Sequence, residues 1–150
     1  MCPAGPGSST EMSLPVMREF VLPVRVYLED TDAQGVVYNA SYFRFLERAR
    51  TEWLRAKGVE HNKLRDEQGL ALVLVGTQVK FRQPARLDDQ LFVSATLTEV
   101  TGARFVFDQA VRRGTPDGEV LCDGIAEVAC MDVVQQKPRR VPGALMDELS

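Results

Sequence analysis

Hydrophobic and polar positions change their period several times along the chain. Over Phe20 to Leu28 the second half alternates, Val24, Val26 and Leu28 against Arg25 and Tyr27, which predicts a β-strand with Pro23 near its start or edge. Glu29 to Gly35 is rich in turn formers. From about Asn39 to Lys57 the period becomes helical: Tyr42, Leu46, Ala49 and Trp53 recur at three- and four-residue steps, flanked by Phe45 and Ala56. Asn39 or Ser41 is placed to cap the start of this helix, and Gly58 to end it in a left-handed conformation. Its apolar stripe is wide and aromatic, so one face requires deep burial.

Four strand-like runs follow. Leu70 to Arg82 starts nearly all apolar and then alternates up to Pro84. Leu91 to Leu97 and Phe105 to Val111 alternate on either side of a turn at Thr101-Gly102-Ala103, and Val120 to Met131 follows the turn Thr115-Pro116-Asp117-Gly118. Such turns make the late strands antiparallel. A single amphipathic helix is most economically buried by a long antiparallel sheet curved around it, an α+β arrangement. The chain then divides into a disordered N-terminal tail over residues 1–17, one domain over 18–141 and a frayed C-terminal tail over 142–150.

Length and composition change this picture little. The 150 residues suit one domain with a real core. A net charge of -3 argues against bulk attraction to nucleic acid or to an anionic membrane. No apolar run approaches a membrane span, and Met1 to Ser13 lacks the basic and hydrophobic blocks of a signal peptide. Cys2, Cys122 and Cys130 form no C-x-x-C pair, and an odd count suits free thiols in a reducing cytoplasm.

The chemistry concentrates in the segment from Val26 to Tyr42. It sets Asp30 and Asp32 in a turn directly before the helix. That arrangement brings a carboxylate near the unpaired N–H groups at the positive end of a helix dipole. Those groups can polarise a carbonyl and hold the oxyanion that develops in acyl transfer, while a carboxylate attacks it or draws a proton from water. The same Asp-x-Asp spacing also serves as an ordinary turn whose side chains cap main-chain N–H groups, and Asp30 fits that role better. A calcium loop is excluded, because Gln34 stands at its fifth position and Ser41 where a bidentate Glu is required.

The stretch "VRVYLEDTDAQGVVYNASYFRFLERARTEWLRAKG" closely resembles the 4-hydroxybenzoyl-CoA thioesterase family, and most of all its Tol–Pal-associated branch of acyl-CoA thioesterases. The resemblance rests on Asp30, Asp32, Gly35, Val37, Tyr38, Ser41-Tyr42 and Glu47-Arg48-Ala49-Arg50, with support from "VKFRQPARLDDQL" further on, and spans roughly residues 20 to 141. It implies a hot-dog fold, a homodimer or homotetramer with sites at the subunit interface, and hydrolysis of an acyl-CoA in the cytoplasm. It assigns the catalytic carboxylate to Asp32 and the oxyanion contact to the backbone N–H near Asn39. Many members of that branch carry His where this chain has Asn39, and Tyr where it has Leu28; Asn cannot relay protons, but its backbone N–H is retained.

Gly35, Val37 and Tyr38 are expected to shape the substrate site. Arg82, Arg86 and Arg104 are candidates for the CoA phosphates, with Lys137 and Arg139 behind them. Glu47 and Glu52 on the helix are rival carboxylates, with ion pairing to nearby arginines the simpler role. No Gly-rich phosphate loop and no metal-spaced cluster is present, so neither metal nor cofactor is expected. Two other readings of the same pattern are a hydroxyacyl-thioester dehydratase and a hot-dog protein that binds acyl-CoA or a partner without turnover. The dehydratase needs a His or paired acid–base groups, and the sole histidine, His61, lies outside the motif.

Overall fold

The computed structural model describes residues 19–149. The expected tail over 1–17 lies outside them. The elements run β1 (Phe20–Arg25), a 3-10 turn (Leu28–Asp30), α1 (Asn39–Ala56), α2 (His61–Gln68), β2 (Leu70–Phe81), β3 (Gln90–Thr101), β4 (Arg104–Arg113), β5 (Glu119–Asp132), β6 (Lys137–Pro138) and α3 (Gly143–Leu149). The sheet has the order β1-β3-β4-β5-β2, with β6 added to β5, and every pairing is antiparallel.

Irregularities between Leu74 and Gly76, Leu97 and Glu99, and Val111 and Arg112 interrupt the register. Bulges bend a strand and increase its twist, which lets the sheet curl around α1. At Gly124 in β5 a Cβ would stand 2.1 Å from the Gln78 carbonyl oxygen of β2, so the pairing there leaves no room for a side chain. The helix packs on β1, β3 and β4. Tyr42, Phe45, Leu46, Ala49, Trp53 and Leu54 are buried against Leu91, Val93, Ala95, Leu97, Phe105 and Phe107. Trp53 meets Phe107 edge-on, with ring centroids 5.5 Å apart. Each large side chain so removed from water contributes about 1.5–3 kcal/mol.

Four features differ from the sequence-based expectation. Strand β1 ends at Arg25, and the chain then rises through the 3-10 turn, which leaves Tyr27 and Leu28 exposed. Neither Asn39 nor Ser41 caps α1 through its side chain: Tyr38 is the capping residue, and the Ser41 hydroxyl donates to the Asp30 carbonyl instead. A second helix, α2, fills the polar stretch after Gly58; it buries only Leu64, too little to give a periodic signal. The tail expected to fray over 142–150 forms α3 over Gly143–Leu149. Leu145 and Leu149, one turn apart, and the preceding Val141 are drawn into the core, and that burial outweighs the breaking tendency of Pro142-Gly143. Gly58 does adopt the left-handed conformation, with φ 85°.

Candidate active site

The turn between β1 and α1 is held by main-chain bonds on both sides. Inside it, the Asp32 N–H donates to the Val36 carbonyl and the Gly35 N–H to the Asp32 carbonyl. Gly35 has φ 79°, a conformation that side-chain-bearing residues rarely adopt, so glycine is favoured there. Outside it, the Val37 N–H donates to the Ala85 carbonyl at 2.8 Å, and the Leu87 N–H to that of Gly35 at 3.2 Å. The Ala85 N–H donates in turn to the Tyr42 hydroxyl at 3.0 Å. The turn, the first turn of α1 and the segment after β2 thus form one rigid corner.

The two aspartates have different environments. Asp30 is 5% exposed; its carboxylate accepts the Tyr27 N–H at 2.8 Å and an Arg44 N–H at 2.9 Å, and its carbonyl accepts the Tyr38 N–H. It is the turn and capping residue that the sequence indicated. Asp32 is exposed, and its Oδ1 accepts one N–H, from Gln34 at 2.8 Å. At the start of α1 the Ser41 N–H is taken by the Tyr38 carbonyl, whereas the N–H groups of Asn39 and Ala40 have no acceptor among the described residues. These two donors stand at the positive end of an 18-residue helix.

Asp32, Val37, Tyr38, Asn39 and Arg82 line one cleft of about 350 Å³, together with Val36, Tyr42, Phe81, Gln83 and Pro84. An exposed carboxylate and the residue that carries the first open main-chain donor therefore share a hollow with aromatic walls. Burial pushes the Tyr42 hydroxyl above its ordinary pKa, so it stays protonated, although the bond from the Ala85 N–H acts the other way. Tyr38 is 61% exposed and borders the cleft rather than packing on the sheet.

The arginines separate. Arg82 borders the cleft and is paired with Asp123 at 2.9 and 3.2 Å. Arg86 lies beside the turn, bridged through its backbone to Val36, and its guanidinium has no acceptor among the described residues. Arg104 opens β4 and pairs with Glu127, away from the cleft lining. Lys137 lies in β6, and Arg139 pairs with Asp132 at 3.7 Å. Of the rival carboxylates, Glu52 pairs with Arg55 and Glu47 accepts the Thr51 hydroxyl, both along α1 and outside the cleft lining. The contributions of Phe81, Gln83 and Pro84 are legible only once β2 is paired with β5 and its end folds over the turn. No group of three metal-binding side chains occurs among the described residues.

A curled antiparallel sheet around one long helix defines the hot-dog thioesterase class. The thioesterase-like superfamily model matches residues 26–149, and the chain belongs to that superfamily. It is 44% identical to the acyl-CoA thioesterase YbgC of Haemophilus influenzae over 123 residues, covering 82% of this chain and 88% of that one. It is 41% identical to the acyl-CoA thioester hydrolase YbgC of Escherichia coli O6:H1, covering 86% of this chain and 94% of that one. Among solved structures, Slr0204, a 1,4-dihydroxy-2-naphthoyl-CoA thioesterase from Synechocystis, superposes with a TM-score of 0.80 at 25% identity, over 88% of this chain and 96% of that one. No helix among the described residues is long and apolar enough to cross a membrane.

Proposed function

We propose that the chain hydrolyses an acyl-CoA thioester in the cleft beside Asp32. The observation that supports this reading is the shared lining: the exposed Asp32 and Asn39, whose N–H at the helix start has no acceptor among the described residues, border the same hollow, with the open Ala40 N–H next along the chain. The thioester carbonyl oxygen sits at the N–H groups of Asn39 and Ala40. Asp32 either attacks the carbonyl carbon or removes a proton from a water that does. The negative charge passes to the carbonyl oxygen, where the two amides and the helix dipole stabilise it. Collapse of the tetrahedral species breaks the C–S bond and expels the CoA thiolate. On the first route water then hydrolyses the acyl–Asp32 anhydride, and on both routes the products are the free acid and CoA. A thiolate leaves readily, so the chemistry proceeds with Asn at position 39 and no histidine beside it. Label recovered in Asp32 after single-turnover hydrolysis in labelled water shows that the carboxylate attacked and that water opened the anhydride at the Asp32 carboxyl carbon.

Phe81 and Tyr38 supply apolar walls for the acyl group, and Arg86 and Arg82 lie close enough to the turn to meet phosphates of CoA. Strand β2 suits a homodimer. Among the described residues it pairs only with β5, and it carries Val73, Leu74 and Val75 at 43%, 44% and 49% exposure. A long apolar strand edge invites pairing with a second copy. The chain acts in the cytoplasm, where acyl-CoA is made.

Thiol release from a panel of acyl-CoAs tests the reading. Asp32→Asn should lower kcat about 100-fold or more. It should leave the melting temperature unchanged, because the amide oxygen still accepts the Gln34 N–H. Wild-type turnover by Asp32→Asn would remove the carboxylate from the chemistry. Binding without thiol release in the wild type would leave a carrier rather than an enzyme.

A further inference from the structure

A second hollow, of about 130 Å³, lies between α1, α2 and the sheet, with Leu72, Phe105, Phe107 and Val128 on its apolar side and Glu47, Thr51 and His61 beside Arg50 on its polar side. Arg50 borders it about three turns along α1 from Asn39, roughly 16 Å of helix axis. Arg50 is 8% exposed, an unusual place for a guanidinium. Its Nη1 donates to the Gln109 side-chain oxygen at 2.9 Å. That amide cannot reverse its role, because its nitrogen already donates to the carbonyls of Leu46 and Ser94 at 3.0 and 3.2 Å. One neutral acceptor therefore serves a group with five N–H donors.

No carboxylate forms an ion pair with Arg50 among the described residues. Glu47, one turn earlier, instead accepts the Thr51 hydroxyl at 2.5 Å, and that hydroxyl also meets the His61 ring at 3.3 Å. Burial lowers the pKa of Arg50, and the charge of Glu47 opposes that shift only in part. A buried cation without an anion is costly, and pairing with a carboxylate in the fork geometry of Arg removes much of that cost. The size of the hollow is close to that of an apolar cavity of about 150 Å³ that holds benzene, so it accommodates roughly six non-hydrogen atoms.

We propose that this hollow binds a short monocarboxylate, its carboxylate on Arg50 and its alkyl end against Leu72, Phe105, Phe107 and Val128. Such acids are the class of product that thioester hydrolysis releases under the proposed function, so the hollow is a second place for product at a distance from the reacting carbonyl. The binding itself does not depend on the cleft being active, which keeps the two readings separable.

Equilibrium dialysis of labelled butyrate against the full chain tests the proposal. The expected result is one saturable site per chain in which isobutyrate competes and butyramide does not. Arg50→Gln should weaken binding about tenfold or more, and Leu72→Phe should do so by filling the space, whereas Asp32→Asn should bind as the wild type. Near-ultraviolet circular dichroism of the single tryptophan, Trp53, which packs on Phe107, reports that each variant is folded. If Arg50→Gln does not fold, Leu72→Phe decides. Absence of saturable binding in the millimolar range, equal competition by butyramide, or loss of the site in Asp32→Asn with retention in Leu72→Phe would each overturn it.

Discussion

Replacing Asp30 by alanine separates the carboxylate that builds the corner from Asp32, the one proposed to react in it. In the folded chain the Asp30 carboxylate accepts the Tyr27 N–H at 2.8 Å and Arg44 at 2.9 Å. A hydrogen bond to a charged group is worth about 1.5–3 kcal/mol, and its loss leaves a part-buried N–H without a partner. The Arg44 side chain is 52% exposed, so its ion pair adds only about 0.5 kcal/mol after solvent screening. Together these give a loss of about 2–3.5 kcal/mol. For a chain of this length that is a fall in melting temperature of roughly 5–12 °C. Asp30→Asn, which keeps one acceptor oxygen, should lose about half as much. Urea titrations of the three proteins, followed by Trp53 fluorescence, measure the difference. Activity should fall as well, because the Asp30 carbonyl holds the Tyr38 N–H and the Ser41 hydroxyl that set the start of α1. A loss in Asp30→Ala below about 0.5 kcal/mol, within the range of an ordinary surface change, would refute the reasoning.

Two further outcomes follow from burial and from the sheet edge. Burial pushes the Cys122 thiol up to about 12, whereas an unfolded cysteine titrates near about 8.5. The unfolded chain therefore gives up its proton first: the contribution of Cys122 is complete below about pH 8.5, declines above it and is lost as pH rises through about 12. Wild type should lose about 2 kcal/mol between pH 8 and pH 10 relative to Cys122→Ala, read from urea midpoints; equal pH slopes would contradict it. At the β2 edge, which has no strand partner among the described residues, Val75→Lys should turn the proposed dimer into a monomer in light scattering while circular dichroism stays unchanged, since a charge on an exposed strand edge blocks pairing; an undiminished dimer would place the interface elsewhere.

The alternating runs and the single aromatic stripe from Tyr42 to Trp53 determined the sheet, the long helix and their packing, because local periodicity already dictates which face must leave water. The turn from Asp30 to Gly35 was equally legible, since it depends on side chains that bond their own backbone. Helix α2 and helix α3 were not. Leu64 alone, or Leu145 and Leu149 beside a Pro-Gly pair, gives no sequence pattern, and only contact with a finished core makes those helices worth forming. The cleft divides in the same way. Asp32, Tyr38 and Asn39 lie within eight residues of one another and could be read in order, whereas Phe81, Gln83 and Pro84 reach them only because β2 pairs with β5 across some forty residues of chain. Arg50 is the sharpest case: in sequence it is one more charge on an amphipathic helix. Its burial on Gln109 is decided by where β4 crosses the helix, a long-range geometry that no local preference encodes.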